Sequence, residues 1–381
     1  MAQNAVDSSW RPYAEDRFKA IYDRSKFRAK TLRPTWQSDS SGFYLEEEDP
    51  QTKQSTRWFF DSKTGERRSA SAEKRLPSTN DPGPEKQLPR LVSRDAKLIA
   101  IDPNTKQEKV LVSAEPSRSI DYRQLSWSPD GKHILFVQAD YTDVRQRWVL
   151  VPGDPSYPGV QQNRFARVGE TIEQLRIGLV NAEGEQLKWL PIETPKEGMY
   201  LGQVEWTGNA NEILVEKFSR FRDKREFLLA NVDGKVQSIY SESNDAWVES
   251  SQGKNSGLVW IQGGNEFLVI SEKDGWRHAY RYARDGKQLS LLTPGDYDII
   301  DRAAVDEKGG WYYFYASPKN ATQKYLYRVP LDGSGKMQRV TPEDQIGTHA
   351  YQFSPDFHWA IHTRSTLNSP PIKSSKWKRI A

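Results

Sequence analysis

One local pattern recurs along this chain and limits the folds open to it: a short strand, a polar turn, and then a strongly apolar strand. The turn is built from Ser, Pro, Asp, Asn or Gly. Runs rich in β-branched and aromatic residues, bounded by such turns, predict antiparallel hairpins. Six copies are present: PTWQSDSSGFYLEE, LSWSPDGKHILFVQ, VEWTGNANEILVEK, LVWIQGGNEFLVIS, AAVDEKGGWYYFYAS and YQFSPDFHWAIHT. A seventh, weaker copy lies at residues 91–102.

Several copies are followed by two further strands, as in residues 225–240 and 324–341. Four strands per copy, repeating at roughly 40 to 50 residues, are typical of a β-propeller, in which each sheet buries its faces on its neighbours. Radial repetition also leaves only short, protected strand edges, whereas a β-sandwich would need no internal repeat. The sequence therefore predicts an all-β fold of the β-propeller type.

One segment near the N-terminus, residues 13–30, has a helical pattern instead, with charged residues on its other faces. Four apolar side chains stand near a helical spacing there: Phe18, Ile21, Tyr22 and Phe27. We expect one amphipathic helix that covers a sheet edge on the outside of the β domain. The expected organisation is an N-terminal extension with this helix, residues 1–33, followed by the propeller, residues 34–381.

Two stretches do not fit the repeat. Residues 62–90 are rich in Pro, Lys, Glu and Ser and predict a long exposed loop. Residues 153–173 predict an irregular insertion before a strand at residues 175–181. Loops of this length are uncommon in compact domains unless they are functional or disordered.

Composition and motifs argue against several functions. The chain has 55 basic and 51 acidic residues, and a net charge of +4 is too small to indicate a nucleic-acid or membrane-surface partner. Cysteine is absent, which excludes disulfides and thiolate metal sites. No HExxH, EF-hand or phosphate-loop motif occurs, so we expect no metal and no cofactor. No apolar run approaches the roughly 20 residues of a transmembrane helix, and residues 1–12 lack the pattern of a signal peptide.

Longer motifs follow one another in the second half of the chain: SEKDGWRHAYRY, LLTPGDYDI, YYFYASPKNATQKYLYRVPLDGSG and YQFSPDFHWAIHTRSTLNSPP. In wording, order and spacing they resemble successive motifs of the dipeptidyl peptidase IV N-terminal domain. The segment RFARVGETIEQLRIGLVNAEG is also similar to a family segment that precedes the middle blades. The resemblance extends over about residues 17–371 and is strongest after Arg164.

This resemblance implies an eight-bladed propeller, while the repeats themselves count six or seven, so seven to eight blades are expected. In family members the propeller lies over an α/β-hydrolase domain of the prolyl oligopeptidase superfamily. Those serine peptidases release dipeptides from peptide N-termini, preferring proline or alanine at the second position, and the propeller filters and orients the substrate. Because family members are usually exported or membrane-anchored, the resemblance also implies an exported or periplasmic protein.

We expect no catalytic residue in this chain. A hydrolase nucleophile lies on a turn of the form Gly-x-Ser-x-Gly, and the nearest sequence here is Gly333-Ser334-Gly335. The five histidines occur without the carboxylate and nucleophile that a catalytic triad needs, so structural roles are expected for them. The chain also stops at Ala381, where family members continue into the hydrolase domain, and inactivity on its own is therefore expected.

The segment that would anchor a substrate differs from that of the family. Family aminopeptidases carry a Glu-Glu pair just before a Trp-Ser-Pro-Asp-Gly motif, and the two carboxylates neutralise the free ammonium of the substrate. Before that motif this chain has only Glu115 and Asp121, while residues 46–48 form an acidic run in the first repeat, where a solvated strand end is expected. The candidate peptide-binding residues stand at the matching position: Asp121, Tyr122 and Arg123. The alternative for them is ordinary packing within a sheet.

The motif at residues 267–282 predicts a hairpin, with Trp276 and Tyr280 as two large apolar groups packed between sheets. If the Trp276 ring lies in the core, its replacement by alanine should cost about 3 to 5 kcal/mol. This motif indicates the fold and assigns no chemistry.

Three functions remain open at this point. The first is an isolated propeller of a dipeptidyl peptidase IV-like enzyme that gates or binds peptides without activity. The second is a truncated or split part of a serine dipeptidyl aminopeptidase, whose hydrolase domain lies downstream or on a partner chain. The third is a protein-interaction scaffold unrelated to peptides. A peptide or a hydrolase domain is the expected partner, and the oligomeric state stays open.

Overall fold

The computed structural model describes residues 11–23, 31–49, 52–70, 88–151, 156–157, 159–249 and 257–379. The chain forms two compact units: Met1–Glu85 together with Thr348–Ala381, and Lys86–Gly347. The division expected from the sequence, at residue 33, stays a prediction.

The first half of the chain contains one helix, α1 (Arg11–Asp23), and thirteen strands in its described part. The strands are β1 (Thr31–Trp36), β2 (Gly42–Glu48), β3 (Ser55–Asp61), β4 (Arg67–Ser69), β5 (Arg90–Arg94), β6 (Lys97–Ile101), β7 (Glu108–Ser113), β8 (Ile120–Trp127), β9 (His133–Asp140), β10 (Gln146–Val151), β11 (Gly159–Arg164), β12 (Gln174–Asn181) and β13 (Lys188–Trp189).

The second half contains fifteen strands in its described part and a short 3-10 turn at Gln262–Gly264. The strands are β14 (Met199–Trp206), β15 (Glu212–Ser219), β16 (Lys224–Asn231), β17 (Val236–Ser243), β18 (Val259–Ile261), β19 (Glu266–Ser271), β20 (His278–Ala283), β21 (Gln288–Leu291), β22 (Ile299–Asp306), β23 (Trp311–Ala316), β24 (Tyr325–Pro330), β25 (Gln338–Arg339), β26 (Thr348–Phe353), β27 (Trp359–Thr366) and β28 (Ser369–Arg379).

The strands form antiparallel meanders, as the repeat predicts. Four sheets follow the chain as β1–β4, β14–β17, β18–β21 and β22–β25, and a fifth has the order β13-β12-β9-β8. Two sheets have three strands, β5–β7 and β26–β28, and β10 pairs with β11 as a separate two-stranded ribbon. The all-β prediction is confirmed. The described residues hold seven sheets of three or four strands, and the expected number of seven to eight blades stays a prediction.

The strongly apolar second strand of each repeat is buried on both of its faces. In β15, Ile213 and Val215 pack in one core with Leu135 and Val137 of the preceding sheet. The alternate residue, Leu214, packs in another core with residues of the following sheet. The same alternation occurs in β9 and β19. A strand buried on both faces needs a continuous apolar run, which is the pattern seen in the sequence.

The Ser-Pro-Asp turns of two repeats have the same internal hydrogen bonds. Ser128 Oγ donates to Asp130 Oδ1 over 2.6 Å, and Ser354 Oγ donates to Asp356 Oδ1 over the same distance. The residue after Asp130 is Gly131, with φ of 69°, whereas the residue after Asp356 is Phe357, with φ of 60°. The serine and the aspartate therefore fix this turn even where the glycine is missing.

Some sequence predictions need correction. Helix α1 is present, but it does not pack on the sheets as expected, because four of its large apolar side chains are exposed. These are Tyr13, Phe18, Ile21 and Tyr22. Residues 24–30, with Phe27, lie outside the described residues. The insertion at residues 153–173 is not wholly irregular, because β11 pairs with β10 along its full length. Within the expected loop at residues 62–90, β4 is ordered, and residues 71–87 lie outside the described residues.

Candidate functional site

The three residues singled out by the sequence lie at the beginning of β8, which is the first strand of its sheet along the chain. Asp121 accepts a hydrogen bond from Ser93 Oγ over 2.7 Å, and the same Ser93 hydroxyl accepts one from the Tyr122 N–H over 3.0 Å. Ser93 belongs to β5, the first strand of the preceding sheet. This serine therefore joins two neighbouring sheets and fixes the backbone that carries Asp121.

Tyr122 points away from solvent. Its side chain is 3% exposed and meets the Phe136 ring edge-on, with ring centres 5.5 Å apart. Burial raises the pKa of the Tyr122 hydroxyl. Packing is thus the evident role of Tyr122.

Asp121 and Arg123 point the other way and lie at the surface, with side chains 48% and 41% exposed. Arg123 Nε is 3.4 Å from Asp121 Oδ2, and Arg123 Nη1 is 3.6 Å from Glu173 Oε1. The guanidinium also lies over the Tyr141 ring, 5.2 Å from its centre. An accessible carboxylate beside an accessible guanidinium offers an acceptor for an ammonium group and donors for a carbonyl or carboxylate.

Side-chain hydrogen bonds connect the first strands of neighbouring sheets beyond this point. Gln124 Nε2 donates to the Gly202 carbonyl of β14 over 3.1 Å. Gln203 then donates from Nε2 to the Leu258 carbonyl over 3.1 Å, and its Oε1 accepts from the Leu258 N–H over 2.9 Å. Leu258 immediately precedes β18. Asp121 and Arg123 therefore lie on a continuous row of first strands contributed by four consecutive sheets of the larger unit.

A buried ionic network, which the sequence reasoning missed, lies behind this row. Arg225 of β16 contacts Glu216 of β15 and Glu242 of β17, and all three side chains are at least nine-tenths buried. Glu216 also accepts the Gln203 N–H over 3.0 Å. The sequence signal was a charged residue in each of two otherwise apolar strands: Glu216 in VEKFS and Arg225 in REFLLA. The network holds β14 in place and has no exposed group for a ligand.

The hairpin at residues 267–282 encloses polar groups that bind one another. Lys273 Nζ lies 2.7 Å from the Tyr282 hydroxyl and 4.2 Å from the centre of the Tyr280 ring. Burial lowers the pKa of Lys273 and raises the pKa of Tyr282 to about 12. Tyr280 is buried as predicted, but Trp276 is 39% exposed, so the prediction of a core position for Trp276 is wrong.

The histidines form pairs that differ from a catalytic triad. His278 Nδ1 lies 2.9 Å from Asp274 Oδ2, and His358 Nδ1 lies 3.0 Å from Asp356 Oδ2. The second ring nitrogen of His278, Nε2, has no hydrogen-bond partner within the described part of the chain. The other contact joins His349 Nδ1 to His362 Nε2 over 2.7 Å.

In the part of the chain that the structure describes, neither a metal-binding cluster nor a membrane-spanning helix occurs. No three His, Asp or Glu side chains come together there in a way that could hold a metal ion. No helix there has the length and apolarity needed to cross a membrane.

Within the larger unit, consecutive antiparallel sheets share a core with the next sheet, and four of them are joined through their first strands, which is typical of the β-propeller class. The sequence pattern described as "Dipeptidyl peptidase IV (DPP IV) N-terminal region" matches residues 121–371, and the chain belongs to this family. The match begins at Asp121, so all three candidate residues fall within it.

Individual relatives agree with this assignment. Dipeptidyl peptidase 4 of Trichophyton equinum is 24% identical over 255 residues, which are 65% of this chain and 33% of the fungal protein. Dipeptidyl peptidase 4 of Trichophyton rubrum is 24% identical over 217 residues, 55% of this chain and 28% of that protein. The chain therefore spans about a third of the length of the curated relatives that it matches.

The fold is shared with a solved structure. The crystal structure of Porphyromonas gingivalis dipeptidyl peptidase 4 superposes with a TM-score of 0.66 at 19% sequence identity. The match covers 92% of this chain and 52% of the bacterial one. The predicted family and the propeller-like fold are confirmed.

Proposed function

We propose that this chain is the substrate-gating, peptide-binding propeller of a dipeptidyl peptidase IV-like serine peptidase and does not hydrolyse peptides by itself. The observation that carries the proposal is the accessible pair of Asp121 and Arg123 on the row of first strands, inside the segment that matches the family. Peptides with a free N-terminus are the proposed ligands. A hydrolase domain is the proposed catalytic partner.

The charges of the pair support this choice of ligand. A peptide N-terminus presents an ammonium group, and its first carbonyl lies a few bonds away. The Asp121 carboxylate suits the ammonium, while the Arg123 guanidinium suits the carbonyl, since a charged group on one side strengthens each hydrogen bond. Ser93 and Glu173 hold the two side chains in position from the neighbouring segments. Tyr122 takes part by packing beneath the pair.

Titration of the full chain with a Gly-Pro peptide, followed by tryptophan fluorescence and calorimetry, tests the binding. Trp127 lies on the same strand as the pair and is a suitable reporter. The same peptide with an acetylated N-terminus is the matched ligand, because acetylation converts the ammonium group to a neutral amide and leaves the rest of the peptide unchanged. We expect Asp121→Asn to weaken binding of the free peptide roughly 5- to 10-fold, and to leave the acetylated peptide unaffected.

Arg94→Gln provides the matched protein control, since Arg94 forms an exposed ion pair with Glu108 in the preceding sheet. This variant should bind the free peptide like the unaltered chain. Equal binding of free and acetylated peptides would contradict recognition of the ammonium group by Asp121. No saturable binding of either peptide would argue against peptide recognition and favour the scaffold function.

Catalytic inactivity is tested separately with a glycyl-prolyl chromogenic substrate. We expect no turnover by the purified chain, with a complete dipeptidyl peptidase 4 as the positive control. Turnover that survives purification and is lost in His278→Gln or His358→Gln would contradict this part of the proposal.

A further inference from the structure

Arg302 is a buried cation in the first strand of its sheet, β22. Its side chain is 6% exposed. It pairs in register with Phe314 of β23, and Tyr312 is two residues from Phe314 on the same face of the sheet. That face packs against the preceding sheet, in a core with Leu268 and Ile270. Arg302 is therefore enclosed between two sheets and away from bulk water.

No carboxylate forms an ion pair with Arg302 among the residues that the structure describes. Its Nη1 has no hydrogen-bond partner there, and the carboxylate that acts on it electrostatically is that of Asp301, the preceding residue. Burial outweighs Asp301, because the pKa of Arg302 is lowered from its ordinary value. A buried cation whose counter-charge does not offset its burial is unfavourable, so a further partner would stabilise it.

Arg225 shows how this protein treats a buried arginine when the partners are its own. Arg225 is 2% exposed and contacts two carboxylates, Glu216 and Glu242, as well as the Ile270 carbonyl. Arg302 is almost equally buried and has none of these contacts in the described residues. The contrast indicates that the partner of Arg302 is not among the described protein groups.

A second donor lies beside Arg302. The Tyr312 side chain is 1% exposed, and its hydroxyl has no hydrogen-bond partner among the described residues. Burial raises the pKa of Tyr312 to about 12, so the hydroxyl keeps its proton at neutral pH. The positive charges of Arg302 and Arg277 both act on this hydroxyl, and the negative charge of Asp301 acts on it more weakly. The neighbourhood thus offers donors and positive charge, which suits an anion.

We propose that Arg302 and Tyr312 form a binding site for one small monovalent anion of the size of chloride. The guanidinium supplies the charge and the tyrosine hydroxyl supplies a second hydrogen bond. The burial of both side chains favours a small anion over a peptide carboxylate or a phosphate. The site is independent of Asp121 and Arg123, so this inference stands apart from the proposed peptide binding.

Thermal unfolding of the full chain in sodium chloride and in sodium gluconate, at equal ionic strength, tests the proposal. Gluconate is too large for the site and controls for general salt effects. A ligand that binds only the folded protein raises the melting temperature, and we expect chloride to raise it by about 2 °C or more relative to gluconate. No difference between the two salts would overturn the proposal.

Two variants test whether the chloride-dependent rise in melting temperature arises from binding at Arg302 and Tyr312. Arg302→Met keeps the bulk of the side chain and removes its charge, and Tyr312→Phe removes only the hydroxyl. We expect the chloride-dependent shift to vanish in the first and to fall in the second. Arg281→Met is the matched control, because Arg281 is paired with Glu266 in the same unit, and it should keep the full chloride shift. A chloride shift unchanged by Arg302→Met would overturn the assignment.

Measurements on the unaltered protein remain informative if a variant fails to fold. Acetate and phosphate, added to gluconate buffer, distinguish a carboxylate or oxyanion site from a halide site. Stabilisation by phosphate or acetate but not by chloride would overturn the assignment to a small monovalent anion. In crystals soaked with bromide, we expect a peak in the anomalous difference map beside the Arg302 guanidinium. The absence of such a peak at this position would contradict the proposal.

Discussion

Arg225 and Glu216 form a buried ion pair in which two nitrogens of the guanidinium converge on one carboxylate oxygen. Nε lies 2.8 Å and Nη2 lies 2.7 Å from Glu216 Oε1. The third nitrogen, Nη1, lies 3.1 Å from Glu242 Oε1 and donates to the Ile270 carbonyl over 3.0 Å. Since Ile270 belongs to the next sheet, one side chain joins three strands of a sheet to its neighbour.

Replacement of Arg225 by methionine should destabilise the fold strongly. The change keeps the approximate volume but leaves Glu216 and Glu242 buried without their cation. Removing one partner of a buried ionic network typically costs about 3 to 5 kcal/mol. We expect a loss of this size in the free energy of unfolding measured by urea titration.

The matched control is Arg94→Met. Arg94 pairs with Glu108, but the two side chains are 52% and 42% exposed, so solvent screens the pair and its loss should cost less than about 1 kcal/mol. Similar losses in the two variants would mean that burial of the Arg225 network adds little to stability.

Gly202→Ala should disturb the same network from the backbone side. A Cβ atom at this position would lie 2.1 Å from Glu216 Oε2, the oxygen that accepts the Gln203 N–H. The carboxylate would have to move, and overpacking of this kind usually costs roughly 1 to 3 kcal/mol. Gly159→Ala in β11 is the control, because the nearest atom to its added Cβ is a Val151 carbon at 3.8 Å. Equal melting temperatures for both variants would show that Glu216 adjusts freely.

The repeated sheets could be predicted because their signals are local. Apolar strands and turn residues are read from short stretches, and the period of the repeat indicates the architecture. The ribbon of β10 and β11 was missed because β11, with the sequence GVQQNR, contains mainly polar residues and is a strand through its pairing with β10. Pairing between distant segments is not visible in either segment alone.

The candidate site was predictable only in part. The position of Asp121 and Arg123 followed from the family motif, but the motif could not show that Tyr122 faces the core. The Arg225 network and the enclosed Arg302 depend on how consecutive sheets face each other. An arginine inside a strand has the same appearance in the sequence whether its partner is a carboxylate, water or an anion.

Tyr280 and Trp276, expected from the sequence to be equivalent, should respond differently to truncation. Tyr280 is 2% exposed, so Tyr280→Ala should cost about 3 to 5 kcal/mol. Trp276 is 39% exposed, and Trp276→Ala should cost about 1 kcal/mol or less, because much of its ring already contacts water. Denaturant unfolding of both variants measures the difference. A larger loss for Trp276→Ala would place its ring in the core after all.

The Ser-Pro-Asp turn of β26 and β27 should make stability depend on acidity. Burial acts to raise the pKa of Asp356, but hydrogen bonds from Ser354 and His358 outweigh it and hold the pKa at about 2, below the ordinary 3.8. A lowered pKa contributes stability above pH 3.8 that is lost as the pH falls through 2. Because the side chain is 39% exposed, we expect Asp356→Asn to cost only about 1 kcal/mol at pH 7. This cost should stay constant above pH 3.8 and shrink as the pH falls from 3.8 towards 2. In His358→Gln the Ser354 hydroxyl still donates to Asp356, so most of the pH dependence of stability should persist. Complete loss of the pH dependence in this variant would show that the His358 imidazole, and not Ser354, lowers the pKa of Asp356.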